Sequence, residues 1–405
     1  DTDLPDATFN GTNDRGAEDW NTYRGDLARS GFARTCVSGK LKKHWQTKLG
    51  GKLSPVTVAG GRLFVSQIDA HAIHCLDAGN GEPVWSDTTG GPVDSPPTIT
   101  AGRVLFGCTD GWVYCLRASD GELIWRRRAA PQDRQIVSYG RLQSAWPVHG
   151  SVTVRDGVAY FAAGRSSFLD GGIDLFGLDA ATGAVRCRAR LDGPQFDAKK
   201  KSPHGAHWMD GAKNDILVSE GQKLFLMQNV FDLDLKQLPA PVIAPHGARK
   251  MDRHLAATGG FLDDSGFDRI YWMVAERWPG LYYGYDAPKT GQILVFDENT
   301  TYGLHTFTER FSRSPYFAPG KDGYTLFADD NDNEPTLDPR AWGKDKGMGF
   351  SRGAPPIWHQ WLPIRVTSMV LASNKLVVCG PPDLVKEGDP MAAFEGRLGS
   401  ELWTI

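Results

Sequence analysis

The sequence predicts an all-β chain, a β-propeller of four-stranded antiparallel blades. One observation is a repeat: Cys75 and Cys115 hold the same place in two similar segments, 40 residues apart. A second is the alternation of apolar and polar residues inside each segment, which has the period of a strand. The third is composition, because 47 Gly and 25 Pro among 405 residues indicate many short strands joined by tight turns. A four-stranded unit that recurs near forty residues is typical of a propeller blade.

Each of the two clearest copies contains four strand-like runs. They read SPVTVAGGRLFVSQIDAHAIHCLDAGNGEPVW from Ser54 and SPPTITAGRVLFGCTDGWVYCLRASDGELIW from Ser95. Asp-Gly pairs inside the second copy predict two-residue hairpin turns, since glycine accepts a positive φ. Trp85 and Trp125 end the fourth runs, and we expect both indoles to pack against the neighbouring blade.

Weaker copies continue the series. Residues 151–191 predict a third blade, and NDILVSEGQKLFLMQNV opens a fourth. HLAATGGFLDDSGFDRIYWMVAERW and GQILVFDENTTYGLHTF predict a fifth, and DGYTLFADDN with PIWHQWLPI predicts parts of a sixth. VTSMVLASNKLVVCGP with GSELWTI predicts the start of a seventh.

The ring needs a closing strand. KLKKHWQTKLGG resembles a fourth strand without the three before it, so a strand near Leu41–Leu49 is expected to complete the last blade. Closure against 400–405 gives seven blades, and a chain that continues past residue 405 gives eight. We therefore expect a flexible segment at 1–18 and a single propeller domain at 19–405, possibly without its final blade.

Several phrases resemble a known family. LDAATGAV, LDAGNGEPVW and LRASDGELIW are similar to the repeat of PQQ-like β-propellers, which quinoprotein alcohol dehydrogenases share with the outer-membrane-assembly lipoprotein of Gram-negative bacteria. DWNTYRGDLARSGF, YFAAGRSSFLDGGIDLFGLD and MAAFEGRLGSELW resemble more narrowly the secreted PQQ-binding-like repeat proteins of planctomycete-type bacteria. In that narrower group the last phrase usually continues into a further blade, which favours eight.

The resemblance also bears on the cofactor. Quinoprotein dehydrogenases of this fold hold PQQ with an adjacent Cys-Cys disulfide, a Trp floor and Ca²⁺, whereas the six cysteines here are all separated. PQQ is therefore not expected, and neither is a c-type haem, since Cys-x-x-Cys-His does not occur.

Composition excludes other classes of function. A formal net charge of −3 offers no basic surplus for a nucleic acid partner. No stretch approaches the roughly 20 apolar residues of a membrane-spanning helix. The chain begins with Asp1, which we interpret as a mature or excised chain whose targeting segment, if any, is absent, and its six cysteines are too sparse for disulfides to define the fold. The resemblance implies a secreted or periplasmic protein.

Ligand candidates lie where the chain departs from the repeat. Trp146 and His149 precede a first strand, where they either cap that strand or form an aromatic and imidazole pocket at the axis. Arg165 and Asp170 share a loop, where they either pair with each other or leave the arginine free to grip a carboxylate or sulfate.

Metal ligands are the other candidates. Histidines beside carboxylates suit Zn²⁺, Mn²⁺ or Ni²⁺, and oxygen-rich loops suit Ca²⁺, against the alternative of solvated loops. The transition-metal candidates are His204, His207, His246 and His254. The calcium candidates are Asp329, Asp330, Asp332 and Glu334. If the protein is catalytic, the candidate residues are His149, His204, His207, Arg165 and Tyr139.

Three functions remain open. The favoured one is a non-catalytic binding or scaffold module for a protein, a glycan or a fused partner domain, without PQQ. The second is a metal-dependent carbohydrate-active enzyme of the polysaccharide lyase type that uses loop His, Tyr and Arg side chains. The third is a quinoprotein oxidoreductase.

Overall fold

The computed structural model describes eleven stretches of the chain. They are 19–138, 140–193, 211–241, 243, 249–257, 272–278, 289–305, 324–337, 350–351, 353–381 and 401–405. The described residues hold thirty strands and one 3₁₀ turn, Ile68–Ala70, and none of their helices is long and apolar enough to cross a membrane. The all-β prediction is confirmed, and the predicted segment 1–18 lies outside the described residues.

The first strand, β1 (Phe32–Ala33), precedes four complete antiparallel sheets, which we number in chain order. Sheet one is β2 (Thr57–Ala59), β3 (Arg62–Gln67), β4 (Ala72–Asp77) and β5 (Pro83–Thr88). Sheet two is β6 (Thr98–Thr100), β7 (Arg103–Gly107), β8 (Trp112–Arg117) and β9 (Leu123–Arg128). A separate hairpin follows, β10 (Gln135–Ser138) with β11 (Arg141–Ser144).

Sheet three is β12 (Thr153–Arg155), β13 (Val158–Ala163), β14 (Ile173–Asp179) and β15 (Val185–Leu191). Sheet four is β16 (Val218–Glu220), β17 (Lys223–Leu226), β18 (Asn229–Asp232) and β19 (Gln237–Leu238). Sheet five has two described strands, β20 (Arg249–Ala257) and β21 (Trp272–Trp278).

Sheet six is β22 (Ile293–Phe296), β23 (Thr300–His305), β24 (Tyr324–Asp330) and β27 (Trp358–Leu362), with the short hairpin β25 (Thr336–Leu337) and β26 (Phe350–Ser351) between its last two strands. Sheet seven is β28 (Ser368–Ala372), β29 (Lys375–Gly380) and β30 (Glu401–Thr404), with β1 parallel to β28. The described residues thus contain seven numbered sheets and, apart from these, the two hairpins β10–β11 and β25–β26. The prediction that 291–307 belongs to the fifth blade is wrong, because β23 pairs with β24 of sheet six.

Apolar side chains fill the spaces between neighbouring sheets, since a single sheet cannot bury both of its faces. Cys75 and Phe106 are fully buried between sheets one and two, and Leu105 and Phe161 between sheets two and three. The same arrangement recurs between sheets three and four, four and five, and six and seven. This packing of sheet against sheet confirms the predicted propeller.

Tryptophans of the outermost strands fix successive sheets to each other. The indole Nε1 of Trp85 donates to Ala118 O at 3.0 Å and that of Trp125 donates to Ala180 O at 3.3 Å. Each ring covers a glycine of the next sheet, Gly121 or Gly183, where a Cβ would lie within 2.8 Å of ring atoms. Larger residues are excluded there, which confirms the predicted packing role of both tryptophans.

The closing strand differs from the prediction. Leu41–Leu49 forms no strand ladder, and β1 joins sheet seven instead. Nevertheless, Trp45 repeats the tryptophan contact, since its Nε1 donates to Ala78 O at 3.0 Å and its ring covers Gly81 of sheet one. The segment therefore makes the contact with sheet one that the outer strands β5 and β9 make with the sheets that follow them, although it is not a strand itself.

Threonines of the first strands link sheets one to four. Each Oγ1 donates to a carbonyl just before the first strand of the following sheet: Thr57 to Pro97 at 2.9 Å, Thr98 to Val152 at 2.6 Å and Thr153 to Leu217 at 3.1 Å. The first strands consequently run side by side in one orientation around a common axis.

The chain itself occupies that axis with residues 19–33, which we call the axial segment. Its carbonyls accept backbone N–H groups from the first strands of five sheets: Val58 to Trp20, Ile99 to Asn21, Ser219 to Leu27, Phe296 to Ser30 and Leu371 to Gly31. Sheet three is reached by the side chain of Arg29, which donates to Thr153 Oγ1 at 2.8 Å. No sequence pattern predicted this element.

Both ends of the axial segment leave on one side of the ring. Asp19 accepts from Gly60 N in the turn after β2, and Val37 exchanges hydrogen bonds with Asn374 in the turn after β28. We call this the lower face. The upper face carries the segments that lead into each first strand, together with the loops between second and third strands.

Candidate functional site

A hairpin and a loop stand together on the upper face. The hairpin β10–β11 lies in the connection from sheet two to sheet three, and loop 164–172 joins β13 to β14. Trp146, directly after the hairpin, is buried, and its Nε1 donates to Asp170 O at 2.8 Å. We call the hairpin and the loop together the upper platform.

Two arginines brace the upper platform through one carboxylate. Arg165 Nη2 lies 2.7 Å from Asp170 Oδ2, and Arg134 Nη2 binds Oδ1 of the same group while its guanidinium stands 5.2 Å from the centre of the Trp146 ring. Burial acts to raise the pKa of Asp170, but the two guanidinium groups outweigh it and hold the pKa below its usual value. The structure therefore brings Trp146, Arg165 and Asp170 together, with the arginine paired inside the loop.

The upper platform exposes apolar side chains. The exposed fractions are 77% for Val137, 59% for Leu142, 55% for Phe168 and 46% for Leu169. Val137 and Leu142 are direct partners across the hairpin, so their side chains share one face. Sequence reasoning missed this hairpin, although alternating residues on both sides of Gly140, whose φ is +73°, were the available signal.

The hairpin also reaches back toward sheet one. Arg141 Nη2 lies 2.6 Å from Asp69 Oδ1, which belongs to the 3₁₀ turn between β3 and β4. Arg134 anchors the base of the hairpin, and Arg141 anchors one of its strands. The apolar side chains of the hairpin therefore lie on a preorganised surface. Such preorganisation lowers the entropy cost of binding.

His149 pairs with a residue that the sequence did not single out. Its Nδ1 lies 2.5 Å from Asp94 Oδ2, while Gly150 N donates to Asp94 Oδ1 at 3.3 Å. Asp94 and His149 both lie in the segments that lead into first strands, those of sheets two and three, and both are mostly buried. The carboxylate orients the imidazole at the upper mouth of the axis.

The residues present do not fit the quinone of the PQQ-like fold. All six cysteines are free, and the buried Cys108 thiol contacts Gly91 O at 3.2 Å while burial raises its pKa well above the usual value. At the level of the first strands the axial segment lies on the axis, where its carbonyls accept hydrogen bonds from five of the sheets.

His254 lies in the core, apart from the upper platform. Its ring stacks on Phe225 of sheet four with centroids 3.9 Å apart, and Nδ1 donates to Asp252 O at 2.7 Å. Nε2 is buried without a hydrogen-bond partner, and burial lowers the pKa to about 4, so the imidazole is neutral at pH 7. His204, His207, His246 and Tyr139 lie outside the described residues.

The acidic loop carries its own positive partners. Arg253 Nη1 lies 2.9 Å from Asp332 Oδ1 and its Nε lies 3.3 Å from Glu334 Oε1. Asp329 Oδ1 accepts from Asn333 Nδ2, and Asp330 Oδ1 accepts from the backbone N–H of Asp332. Within the described residues, no three His, Cys, Asp or Glu side chains are grouped to hold a metal ion.

Comparisons with known proteins agree on the fold. The family model described as outer membrane protein assembly factor BamB matches residues 14–222, just over half of the chain. The BamB of Burkholderia pseudomallei (strain K96243) is 31% identical over 94 residues, 23% of this chain and 24% of that protein. The dehydrogenase subunit of the quinone-dependent alcohol dehydrogenase of Gluconobacter oxydans (strain 621H) is 25% identical over 224 residues, 50% of this chain and 27% of that protein. The matches thus span about a quarter of each relative's length.

Solved structures give the same architecture. The quinohemoprotein alcohol dehydrogenase ADHIIG from Pseudomonas putida HK5 has a TM-score of 0.54 at 11% identity, and the match covers 90% of this chain and 70% of that one. The quinohemoprotein alcohol dehydrogenase from Comamonas testosteroni has a TM-score of 0.53 at 13% identity, with 89% and 70% covered. At such identities the likeness shows the fold alone.

Proposed function

Because the chain belongs to the PQQ-like repeat family of the outer membrane protein assembly factor BamB, we propose that it is an extracytoplasmic binding propeller that holds a protein partner on its upper platform. Two of the relatives are named outer membrane protein assembly factor, which supports a role in binding a protein over a catalytic one. A secreted or periplasmic location belongs to the same proposal.

One observation carries the proposal: four apolar side chains stand exposed on a surface that ion pairs hold in place. Among the residues that the structure describes, Val137 is the most exposed large apolar side chain. Apolar side chains rimmed by charged residues are typical of protein interaction sites. Asp170 and Asp69 brace the two parts of the platform, so little ordering is required when a partner binds. A glycan or a fused domain is the alternative occupant.

The test places a photo-crosslinking amino acid at Val137 or Phe168 in bacteria that produce the protein. We expect one discrete adduct with an envelope protein at both positions. The double exchange Val137→Asp and Leu142→Asp should weaken the adduct at least about tenfold, because central apolar contacts dominate binding energy.

Val185→Asp is the matched control, since Val185 is 41% exposed on the outer strand β15, away from the platform. It should leave the adduct intact. Equal adducts from a crosslinker at Val185, or loss of the adduct in the control variant, would contradict the proposal. A glycan ligand would instead give no protein adduct and a binding signal on polysaccharide arrays.

The carbohydrate-active enzyme stays a prediction, since it depends on His204 and His207 outside the described residues. Elemental analysis separates it from the binding module. A stoichiometric transition metal that is lost when both histidines are exchanged for alanine would favour the enzyme.

A further inference from the structure

Arg29 of the axial segment is the largest fully buried side chain among the described residues, with 0% exposure. Its guanidinium makes four hydrogen bonds, all to neutral oxygens: Thr22 Oγ1 at 2.6 Å, Tyr23 O at 3.0 Å, Thr153 Oγ1 at 2.8 Å and Leu217 O at 3.3 Å. Two of these acceptors belong to the axial segment and two belong to the wall of the ring. Each of the three guanidinium nitrogens is engaged.

The contacts select a guanidinium over other cations. In the part of the chain that the structure describes, no carboxylate forms an ion pair with Arg29; Asp26 of the same segment accepts from Ser30 N and Ser30 Oγ instead. Burial lowers the pKa of Arg29 to about 10, so the group is still charged at pH 7. A planar fork of N–H donors reaches acceptors on several sides, whereas an ammonium presents a single point of charge.

The two acceptors in the wall of the ring, Thr153 Oγ1 and Leu217 O, also bond to each other and so connect neighbouring sheets. Thr153 Oγ1 donates to Leu217 O while it accepts from Arg29, so one threonine hydroxyl joins sheet three, sheet four and the axial segment. Loss of the guanidinium would leave the buried Thr22 Oγ1 and Thr153 Oγ1 without the donor that each accepts from, which is costly inside a protein. The acceptors around Arg29 therefore resemble a binding site, and the guanidinium of Arg29 is the group bound in it.

We propose that the axis of this propeller is a guanidinium-binding socket, filled by Arg29 of the same chain, whose occupancy locks the axial segment into the ring. The ligand class is a guanidinium group, either free or on an arginine side chain. The proposal is independent of the partner on the upper platform.

The test uses the full chain with Arg29→Ala and follows thermal unfolding. We expect a lower Tm than the wild type, and a saturable rise in Tm on addition of guanidinium chloride, with half-effect on the order of millimolar for so small a ligand. Ammonium chloride at equal ionic strength should give no rise. Guanidinium should leave the wild type unchanged or lower its Tm, because the socket is full. A variant Tm that never rises would overturn the proposal.

A second variant and a measurement on the wild type test the proposal even if Arg29→Ala does not fold. Arg29→Lys keeps the charge but loses the fork, and we expect it to have a Tm below the wild type; equal Tm values would contradict the proposal. In the wild type, the Nε–H of Arg29 should exchange with solvent far more slowly than the Nε–H of Arg127, an exposed arginine on β9. Equal exchange rates would also overturn it.

Discussion

Trp45→Ala is expected to lower the free energy of unfolding by about 2–4 kcal/mol, as large a loss as Trp85→Ala or Trp125→Ala, although Trp45 lies outside any strand. All three indoles donate to a backbone carbonyl of the next sheet and cover a glycine there. Burial alternates from His44 to Gly50 as it does in a strand, with Trp45 on the covered side. Equal losses would establish that the segment closes the ring between sheets seven and one.

Chemical denaturation of the three variants measures the losses directly. His44→Ala is the control, because His44 is exposed beside Trp45 and should change stability by less than about 0.5 kcal/mol. If Trp45→Ala lowers the free energy of unfolding as little as His44→Ala does, and not as much as Trp85→Ala, the segment is a surface loop and does not close the ring.

Asp215→Asn is expected to stabilise the protein at pH 8 by about 1–4 kcal/mol and to change little at pH 4. Asp215 is buried before the first strand of sheet four, and its Oδ2 has no hydrogen-bond partner. Burial raises the pKa to about 8, against the lowering effect of the Ile216 N–H bond to its Oδ1. There is thus a range of pH in which the Asp215 carboxyl is neutral in the folded protein and ionised in the unfolded chain.

The sign follows from proton binding. Between about pH 4 and pH 8 the folded protein holds a proton on Asp215 that the unfolded chain has released, so stability falls as pH rises through that window. An asparagine keeps the acceptor for Ile216 N–H without the ionisation. The difference between variant and wild type, measured by urea unfolding at several pH values, should therefore grow up to about pH 8.

Asp170→Asn is the matched control with the opposite sign. The pKa of Asp170 lies below its usual value, so its pairing with Arg165 and Arg134 stabilises the fold at neutral pH and is lost as pH falls. We expect the control to destabilise at pH 7 and to approach the wild type in acid. A flat difference for Asp215→Asn across pH 4–8 would show that the carboxyl is solvated.

The repeat made the sheets predictable because each is built from local pairings. Period-2 alternation and the terminal Trp85 and Trp125 are properties of contiguous residues, and the structure has them where the sequence predicts them. The Asp-Gly pairs do lie between strands, but the predicted two-residue turns are wrong, because residues 108–111 and 118–122 form longer connections. The error at 291–307 came from sheet six, where two strands separated by a long connection pair with each other and no local pattern marks the sheet boundary.

The candidate site was predictable only in part. Arg165 and Asp170 stood out because charges interrupt an apolar run, but Arg134 lies 36 residues from Asp170 and nothing in the sequence links them. Asp94 and His149 are 55 residues apart for the same reason. The axial segment carries a phrase that resembles the family, but no pattern in it indicated its place in the fold, since its carbonyls each bind a different sheet and no periodicity results.

The axial segment has a consequence for the order in which the protein forms. Ser30 and Gly31 leave the ribosome more than 250 residues before their partners Phe296 and Leu371. Contacts of such large sequence separation form slowly, because the loop-closure entropy is lost before the contacts compensate for it. Ser30 and Gly31 therefore cannot make these hydrogen bonds until sheets six and seven have been synthesised, so this part of the axial segment is buried late in folding.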